Sequence, residues 1–150
     1  MIVELLPIQE LLEENTKFVN HPDCQESLSM TIDFYKIAGF HPPWICYYTS
    51  MNNELVGAAG YKGRPVNNKI EIAYGTFPAF MNQGIGTAIC KALVLLAQQT
   101  DPSVIITART LPEINYSTKI LEKNNFKFIG NVWDKDDGDV WEWEYQTDKM

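Results

Sequence analysis

Between residues 70 and 87 the chain changes from a strand pattern to a helix pattern, and this change constrains the fold more than any other stretch. Residues Ile70 to Phe77 have the alternation of a strand, which must stop at Pro78 because proline cannot donate to a sheet. A helical periodicity then begins at Ile85, with apolar residues at spacings of three and four. The sequence therefore predicts a strand, a loop and a helix in direct succession.

Two glycines stand at the predicted start of this helix. Without side chains, Gly84 and Gly86 allow several backbone N–H groups to converge on one point. The first N–H groups of a helix lack partners within it, and the helix dipole adds about half a positive charge there. Each N–H that donates to a charged phosphate oxygen contributes about 1.5 to 3 kcal/mol, so a few of them can hold a pyrophosphate. The candidate phosphate-binding loop is Asn82, Gln83, Gly84, Ile85, Gly86 and Thr87.

Two common phosphate-binding motifs do not fit this loop. A P-loop requires a lysine between its last glycine and the Ser or Thr, whereas Thr87 follows Gly86 directly. A dinucleotide fingerprint requires a third glycine, and Ile89 stands at that position. Nucleotide hydrolysis and a dinucleotide cofactor are therefore disfavoured, while a purely structural tight turn stays open.

The signature from Glu71 to Pro78, continued by residues 83–87, resembles the acetyl-coenzyme A signature of the GNAT superfamily of N-acetyltransferases. Further segments, at 110–113, 117, 121–123, 126 and 136–144, are similar to the branch that contains ribosomal-protein N-terminal (alanine) acetyltransferases. The resemblance runs in order from about residue 54 to residue 145. It departs at Met81, where the family has Gln or Arg, and at Leu121, where many members carry a general-acid Tyr.

This resemblance implies a single α+β domain over residues 1–150. Its sheet would be mixed, mostly antiparallel, of about six to seven strands, with a central βαβ unit and helices on both faces. The two parallel strands of that unit would splay apart, with the pantetheine arm in the gap. The implied activity is transfer of an acetyl group from acetyl-CoA to a primary amine by direct attack. A non-catalytic acyl-CoA-binding sensor and an interaction protein remain as alternatives.

Two side chains are candidates for catalysis. Strand alternation puts Glu71 on the face of Ala73 and Gly75, small residues beside which a ligand could lie, so Glu71 is the candidate general base, acting through water. Ser117 matches the family pattern and is the candidate hydrogen-bond partner of the thioester sulfur. For the cofactor, we expect contributions from the backbone of Thr76 and Phe77, whose N–H groups would polarise the thioester carbonyl.

Asn115 is the remaining candidate for binding the cofactor. The class of acceptor follows from the pKa of the amine. Deprotonating a lysine amine of pKa near 10.4 at pH 7 costs about 4 to 5 kcal/mol, whereas an α-amine near 7.7 to 8.0 costs about 1 kcal/mol. A single weakly tuned carboxylate suffices for the second case. The sequence therefore favours a peptide N-terminal α-amine or a small-molecule amine.

The composition limits the binding partners and the cell compartment that we expect for this chain. A net charge of −7 and a pI near 4.7 argue against a nucleic-acid surface, which needs clustered Lys and Arg. The first residues lack a basic leader, and the longest apolar run, Ala92 to Ala97, is far too short to span a bilayer, so we expect no membrane association and a cytoplasmic location. A homodimer is compatible with the sequence.

The cysteines and histidines suggest no metal site. Cys24, Cys46 and Cys90 are an odd number at wide spacing, which favours structural thiols. The spacings of His21 and His41 from these cysteines match no metal pattern.

The remaining elements follow from periodicity and turn residues. We expect a strand over residues 2–6, a helix from Pro7 to about Asn20, and a second helix ending at Gly39 with Met30, Phe34 and Ile37 on its apolar side. A hairpin follows over residues 44–61, then a parallel strand at 104–108 after the signature helix. A helix from 112 to 124 and two antiparallel strands around an acidic turn complete the chain.

Overall fold

The computed structural model describes residues 1–147 and contains one seven-stranded sheet in this range. The strands are β1 (Glu4–Pro7), β2 (Cys46–Met51), β3 (Glu54–Tyr61), β4 (Lys69–Thr76), β5 (Ile105–Thr110), β6 (Phe126–Asp134) and β7 (Gly138–Tyr145). Their order across the sheet is β1-β2-β3-β4-β5-β7-β6. Only β4 and β5 run parallel, and all other neighbours are antiparallel.

Within residues 1–147, three α-helices cover the sheet: α1 (Gln25–Ala38), α2 (Ile85–Thr100) and α3 (Tyr116–Lys123). The Ser27 hydroxyl of α1 lies 2.7 Å from the Tyr48 hydroxyl, on one face. Tyr61 donates to the Leu93 carbonyl of α2 (2.6 Å), from the opposite face. Since Tyr48 pairs with Ala58, and Ala58 and Tyr61 alternate along β3, α1 and α2 lie on different faces. The predicted α+β fold, with its central βαβ unit and helices on both faces, is confirmed.

The core lies mainly between the sheet and α2. One side of α2 is fully buried, as its heptad-like spacing predicts, and β3 and β4 supply the facing residues. The buried residues of this layer are Ile85, Ile89, Leu93 and Ala97 of α2 with Tyr61, Ile70 and Ile72 of the sheet. This packing fixes the start of α2 against the end of β4.

The expected helix from Pro7 to Asn20 is wrong. Only a short 3-10 turn forms, over Leu12–Glu14. The backbone past Pro7 still follows β2, because the Ile8 N–H donates to the Cys46 carbonyl (2.9 Å). The buried Asn15 side chain then binds the Gln9 N–H, the Gln9 carbonyl and the Leu11 carbonyl (2.8, 3.2 and 2.9 Å). A side chain thus takes the place of helical hydrogen bonds in this segment.

The second helix exists, but the expected inner side is wrong. Its buried residues are Leu28, Ile32 and Tyr35, whereas Met30 and Ile37 are 63% and 87% exposed. The helix carries two apolar stripes at the same spacing, so periodicity alone could not choose between them. Tyr35 decides the outcome, because its hydroxyl donates to the Ile8 carbonyl (2.9 Å) and accepts from the Cys46 N–H (3.0 Å).

The hairpins agree with the sequence and the third helix differs at its start. Asn52 and Asn53 both have positive φ between β2 and β3, and Asn125 has φ 65° after α3, as expected for left-handed positions. Helix α3 begins at Tyr116 rather than at residue 112. The reason is a cap, since the Asn115 side chain accepts from the Thr118 N–H (3.1 Å).

Asn15 is the residue we expect to hold the N-terminal segment in place. Replacing it in Asn15→Ala removes three hydrogen bonds from a buried site, which should lower the free energy of unfolding by about 2 to 4 kcal/mol. Urea denaturation measures this loss. The exposed Asn20→Ala in the same segment serves as the control and should change stability by no more than about 0.5 kcal/mol. Equal effects of the two variants would contradict the assigned role.

Candidate functional site

The loop before α2 presents free backbone N–H groups. Asn82 and Gly84 both have positive φ (63° and 81°), which turns the chain sharply into the helix at Ile85. The first hydrogen bond of the helix runs from the Ala88 N–H to the Gly84 carbonyl (3.2 Å). Within residues 1–147, the N–H groups from Asn82 to Thr87 donate to no protein acceptor. The predicted cradle is therefore open to a ligand.

A cavity of about 380 Å³ lies beside this loop. Its lining comes from the loop and from α3: Asn82, Gly84, Thr87, Tyr116, Lys119, Ile120 and Lys123. Two ammonium groups thus face the free amides, although the sequence reasoning placed no cation here. The spacing of 116, 119 and 123 along one side of a helix is the signal that could have identified them. The cavity combines an N-terminal helix dipole with two positive side chains, as an anion requires.

The two parallel strands part beyond their fourth residue pair. β4 and β5 are in register only from Lys69 with Ile105 to Ile72 with Ala108, and β4 continues alone to Thr76 on that side. The splayed strands that the resemblance implied are therefore present. The gap between them opens directly below the loop at the start of α2.

The two backbone N–H groups predicted to polarise the thioester, those of Thr76 and Phe77, point in opposite directions at the end of β4. The Phe77 N–H already donates to the Val56 carbonyl (2.9 Å), so it is not free to polarise a thioester in this structure. Because successive N–H groups of a strand point to opposite sides, the Thr76 N–H points away from β3 and toward the gap. Thr76, not Phe77, presents its amide to a ligand. Register with β3, which the sequence does not encode locally, decides this difference.

Two buried hydroxyls at the gap have no hydrogen-bond partner in the described chain: those of Thr76 and Tyr116. Both lie next to Gly86, where a Cβ would stand 3.1 Å from Thr76 Oγ1, 2.8 Å from Tyr116 OH and 2.6 Å from Ile120 Cδ1. Unpaired buried hydroxyls are costly, and a ligand that passes Gly86 could satisfy both. The sequence did not indicate Tyr116 as a source of a hydroxyl here. Leu121, which stands at the position of the family Tyr, is fully buried in the core.

Glu71 lies on the expected face of β4 but is not alone there. The Lys62 ammonium is 2.9 Å from Glu71 Oε2, and Arg109 Nε is 3.8 Å from Oε1. Arg109 also contacts Asp134 (2.9 Å) and Glu142 (3.5 Å). Two cations and three carboxylates leave this cluster, which we call the ion cluster, with a net charge of −1. Sequence reasoning missed it because its members come from five separate places in the chain.

Neighbouring groups in the ion cluster shift the pKa values of Arg109 and Asp134. Burial opposes the charge of Arg109, but its hydrogen bond to Asp134 and the charges of Glu71 and Glu142 outweigh this and raise the pKa of the guanidinium. Hydrogen bonds from the Asp136 N–H and from Arg109, with a smaller one from the Asp137 N–H, lower the pKa of the Asp134 carboxyl to about 2. Arg109 and Asp134 are therefore both charged at neutral pH.

The remaining candidates sit at the first turn of α3. Asn115 uses its side-chain oxygen as the helix cap, which leaves only its NH₂ group for a ligand. The Ser117 carbonyl accepts from the Tyr74 hydroxyl (3.3 Å), which holds this turn above the end of β4. The Ser117 hydroxyl itself makes no protein hydrogen bond within the described chain. Each of these two residues thus keeps one side-chain polar group without a protein partner within the described residues.

Neither a metal site nor a membrane span is found in the described part of the chain. No group of three or more His, Cys, Asp or Glu side chains comes together as metal ligands would. None of the helices has the length and apolarity needed to cross a bilayer.

A family model, the acetyltransferase (GNAT) domain, matches residues 8–127. The chain belongs to the GNAT acetyltransferase family. This confirms the family resemblance and the prediction of an acetyl-CoA-dependent N-acetyltransferase. No curated protein sequence matches the chain.

Solved structures share the fold at low sequence identity. One is an acetyl transferase from Salmonella typhimurium that modifies the N-terminal serine of a 50S ribosomal subunit protein (TM-score 0.69, 16% identity, 99% of this chain and 96% of that chain). Another is the aminoglycoside acetyltransferase AAC(6')-Ib with coenzyme A and kanamycin (TM-score 0.68, 18% identity, 95% and 92%). A GNAT-family acetyltransferase from Bacillus anthracis aligns over less, 66% and 64%, with TM-score 0.57 and 18% identity.

Gly86 is the position where a single methyl group should damage the gap. In Gly86→Ala the new Cβ would stand within 3.1 Å of three side chains, so these side chains, two of which carry the unpaired hydroxyls at the gap, must shift. We expect the dissociation constant for coenzyme A, measured by calorimetry, to rise about tenfold or more. Gly130→Ala is the matched control, because a Cβ at Gly130 meets no atom within 4 Å. Unchanged coenzyme A affinity in Gly86→Ala would contradict this view of the gap.

Proposed function

We propose that acetyl-CoA binds along the loop, the cavity and the gap in that order. The diphosphate lies on the free N–H groups from Asn82 to Thr87, with Lys119 and Lys123 as counter-charges. The pantetheine arm then passes Gly86 and enters between β4 and β5. The open row of amides from Asn82 to Thr87 carries this proposal, since their pairing with protein carbonyls would have closed the site.

The buried hydroxyls explain how the arm is held. Pantetheine contains two amide groups, and the unpaired hydroxyls of Thr76 and Tyr116 can donate to their carbonyls. The NH₂ group of Asn115 is a further donor at the same edge. The Thr76 N–H, directed into the gap, polarises the thioester carbonyl. Phe77 contributes apolar contact rather than its N–H.

The reaction is a direct attack of the amine on the thioester. The neutral amine nitrogen forms a bond to the acetyl carbonyl carbon, the C–S bond breaks, and coenzyme A leaves as a thiolate. Ser117 donates a hydrogen bond to that sulfur, and the amine proton passes through water to Glu71. The thiolate, with an acidity close to that of cysteine, needs no strong acid, which is why Leu121 is tolerable at the family Tyr position.

A cysteine-linked acyl intermediate is disfavoured by the thiols themselves. Burial raises the pKa of Cys24 and of Cys46 to about 11, and that of Cys90 to about 12. All three are free thiols and stay protonated at neutral pH. Acetyl transfer therefore passes directly between the two bound substrates, without a cysteine-linked intermediate.

The acceptor we propose is a low-pKa primary amine, such as a peptide α-amine. The ion cluster has one negative charge in excess, which attracts an ammonium group toward Glu71. The two cations of the cluster also hold the Glu71 carboxylate in place. This single base can therefore accept a proton from an amine bound at one fixed position.

The test of this function is thiol release from acetyl-CoA in the presence of an acceptor panel. Peptide α-amines and amino-acid amides should release coenzyme A faster than N-acetyl-lysine amide, whose only amine is the ε-amine, by about tenfold or more at pH 7. Reaction of ε-amines alone would overturn the choice of acceptor. Stabilisation by coenzyme A without thiol release from any amine would instead favour the non-catalytic sensor.

Glu71→Gln tests the base. Loss of the carboxylate should lower kcat/KM for a peptide α-amine by about 10² or more, while coenzyme A affinity stays within about twofold. Glu144→Gln provides the control, since Glu144 pairs with Thr107 in the same row of the sheet but has no ion pair to Glu71. If both variants kept wild-type kcat/KM and the same pH dependence, Glu71 would not be the base.

A further inference from the structure

An apolar groove runs between α1 and the sheet, and of the residues placed in the proposed site above only Lys62 lines it. Its volume is about 610 Å³. The wall consists of Met30, Thr31 and Phe34 from α1, and the floor consists of small residues: Ala58, Gly60, Ala73 and Gly75. We call this the α1 groove. Met30 and Phe34, which belong to the second apolar stripe of α1, line this groove.

The α1 groove lies at the reacting end of the proposed site. Glu71, Ala73 and Gly75 alternate along β4 on one face, so the floor of the groove leads directly to the ion cluster. Lys62 belongs to both, because it lines the groove and contacts Glu71. At the other end, Gly75 precedes Thr76, where we place the thioester. An acceptor amine held between Glu71 and the thioester would therefore extend its body into this groove.

The lining defines the chemistry of that body. The groove has no Asp or Glu among its lining residues, and its one cation, Lys62, is neutralised by Glu71. Met30 is 63% exposed in the absence of a ligand, so an apolar group that covers it removes apolar surface from water. A polycationic acceptor would find no countercharge along the wall. An apolar group with a single ammonium at one end matches both the groove and the net charge of the ion cluster.

We propose that the α1 groove binds the apolar side chain of the acceptor, so that the preferred substrate is a primary α-amine bearing a large aliphatic or aromatic group. This inference rests on the proposed acetyl transfer and specifies its acceptor. Leucinamide and phenylalaninamide should exceed glycinamide in kcat/KM by about tenfold or more, since each additional buried methylene in an apolar pocket gives about 10- to 200-fold. Spermidine and kanamycin should be poor acceptors.

Gly75→Val tests the groove directly. A Cβ at Gly75 meets no atom within 4 Å, so the valine fits the strand and fills the floor of the groove. We expect the ratio of kcat/KM for leucinamide to that for glycinamide to fall about tenfold or more, with coenzyme A affinity within about twofold of wild type. Gly130→Val, which also places its Cβ in open space on a strand, should leave the ratio unchanged.

The outcomes separate this inference from the proposed function. Thiol release with an unchanged ratio in Gly75→Val would overturn the groove assignment alone. A loss of butyryl-CoA use relative to acetyl-CoA, with the acceptor ratio intact, would show that the groove takes an acyl chain and would also overturn it. Absence of thiol release from every amine, despite coenzyme A binding, would overturn both proposals.

Discussion

The arrangement of this protein depends on a parallel strand pair that forms only in its first half. β4 and β5 share four residue pairs and then separate, β4 along β3 and β5 along β7. Beyond that point β4 and β5 are each paired on one side only, and their unpaired edges face each other. Exposed strand edges bind extended chains that carry amide groups of their own. In the proposed mode of binding, pantetheine is such a chain, and the break in pairing that costs the sheet hydrogen bonds gives the thioester its place.

The ion cluster stands where this pairing stops. Arg109 extends from β5 to Glu71 on β4, to Asp134 on β6 and to Glu142 on β7, so one guanidinium connects four strands on the α1 face. Glu71 therefore has a structural contact as well as the proposed chemical role. The two are compatible because Lys62 and Arg109 hold the carboxylate still, and an amine needs only a water between itself and Glu71. A base that is fixed in this way selects the position of its substrate.

The sequence predicts those parts of the molecule that depend on neighbours in the chain. The strand to Thr76, the break at Pro78 and the helix from Ile85 are local patterns, as are the left-handed asparagines of the turns. The sequence does not predict features that depend on a hydrogen-bond partner far away in the chain. The segment after Pro7 stays beside β2 because of the Cys46 carbonyl, and the Phe77 N–H is taken by Val56. Register and tertiary contacts, not propensity, decide both.

The faces of the sheet divide the chemistry between the two substrates. On the side of α2 and α3, the free amides, two lysines and unpaired hydroxyls suit a long anionic carrier, although the whole chain has a net charge of −7. On the side of α1, small residues and the ion cluster suit a cation with an apolar body. The gap between β4 and β5 is the passage between these faces, and Gly86 lies beside it on the side of α2. In the proposed mechanism each substrate reaches the point of acetyl transfer from its own side, so the diphosphate stays out of the acceptor groove and the amine is directed to the thioester carbon.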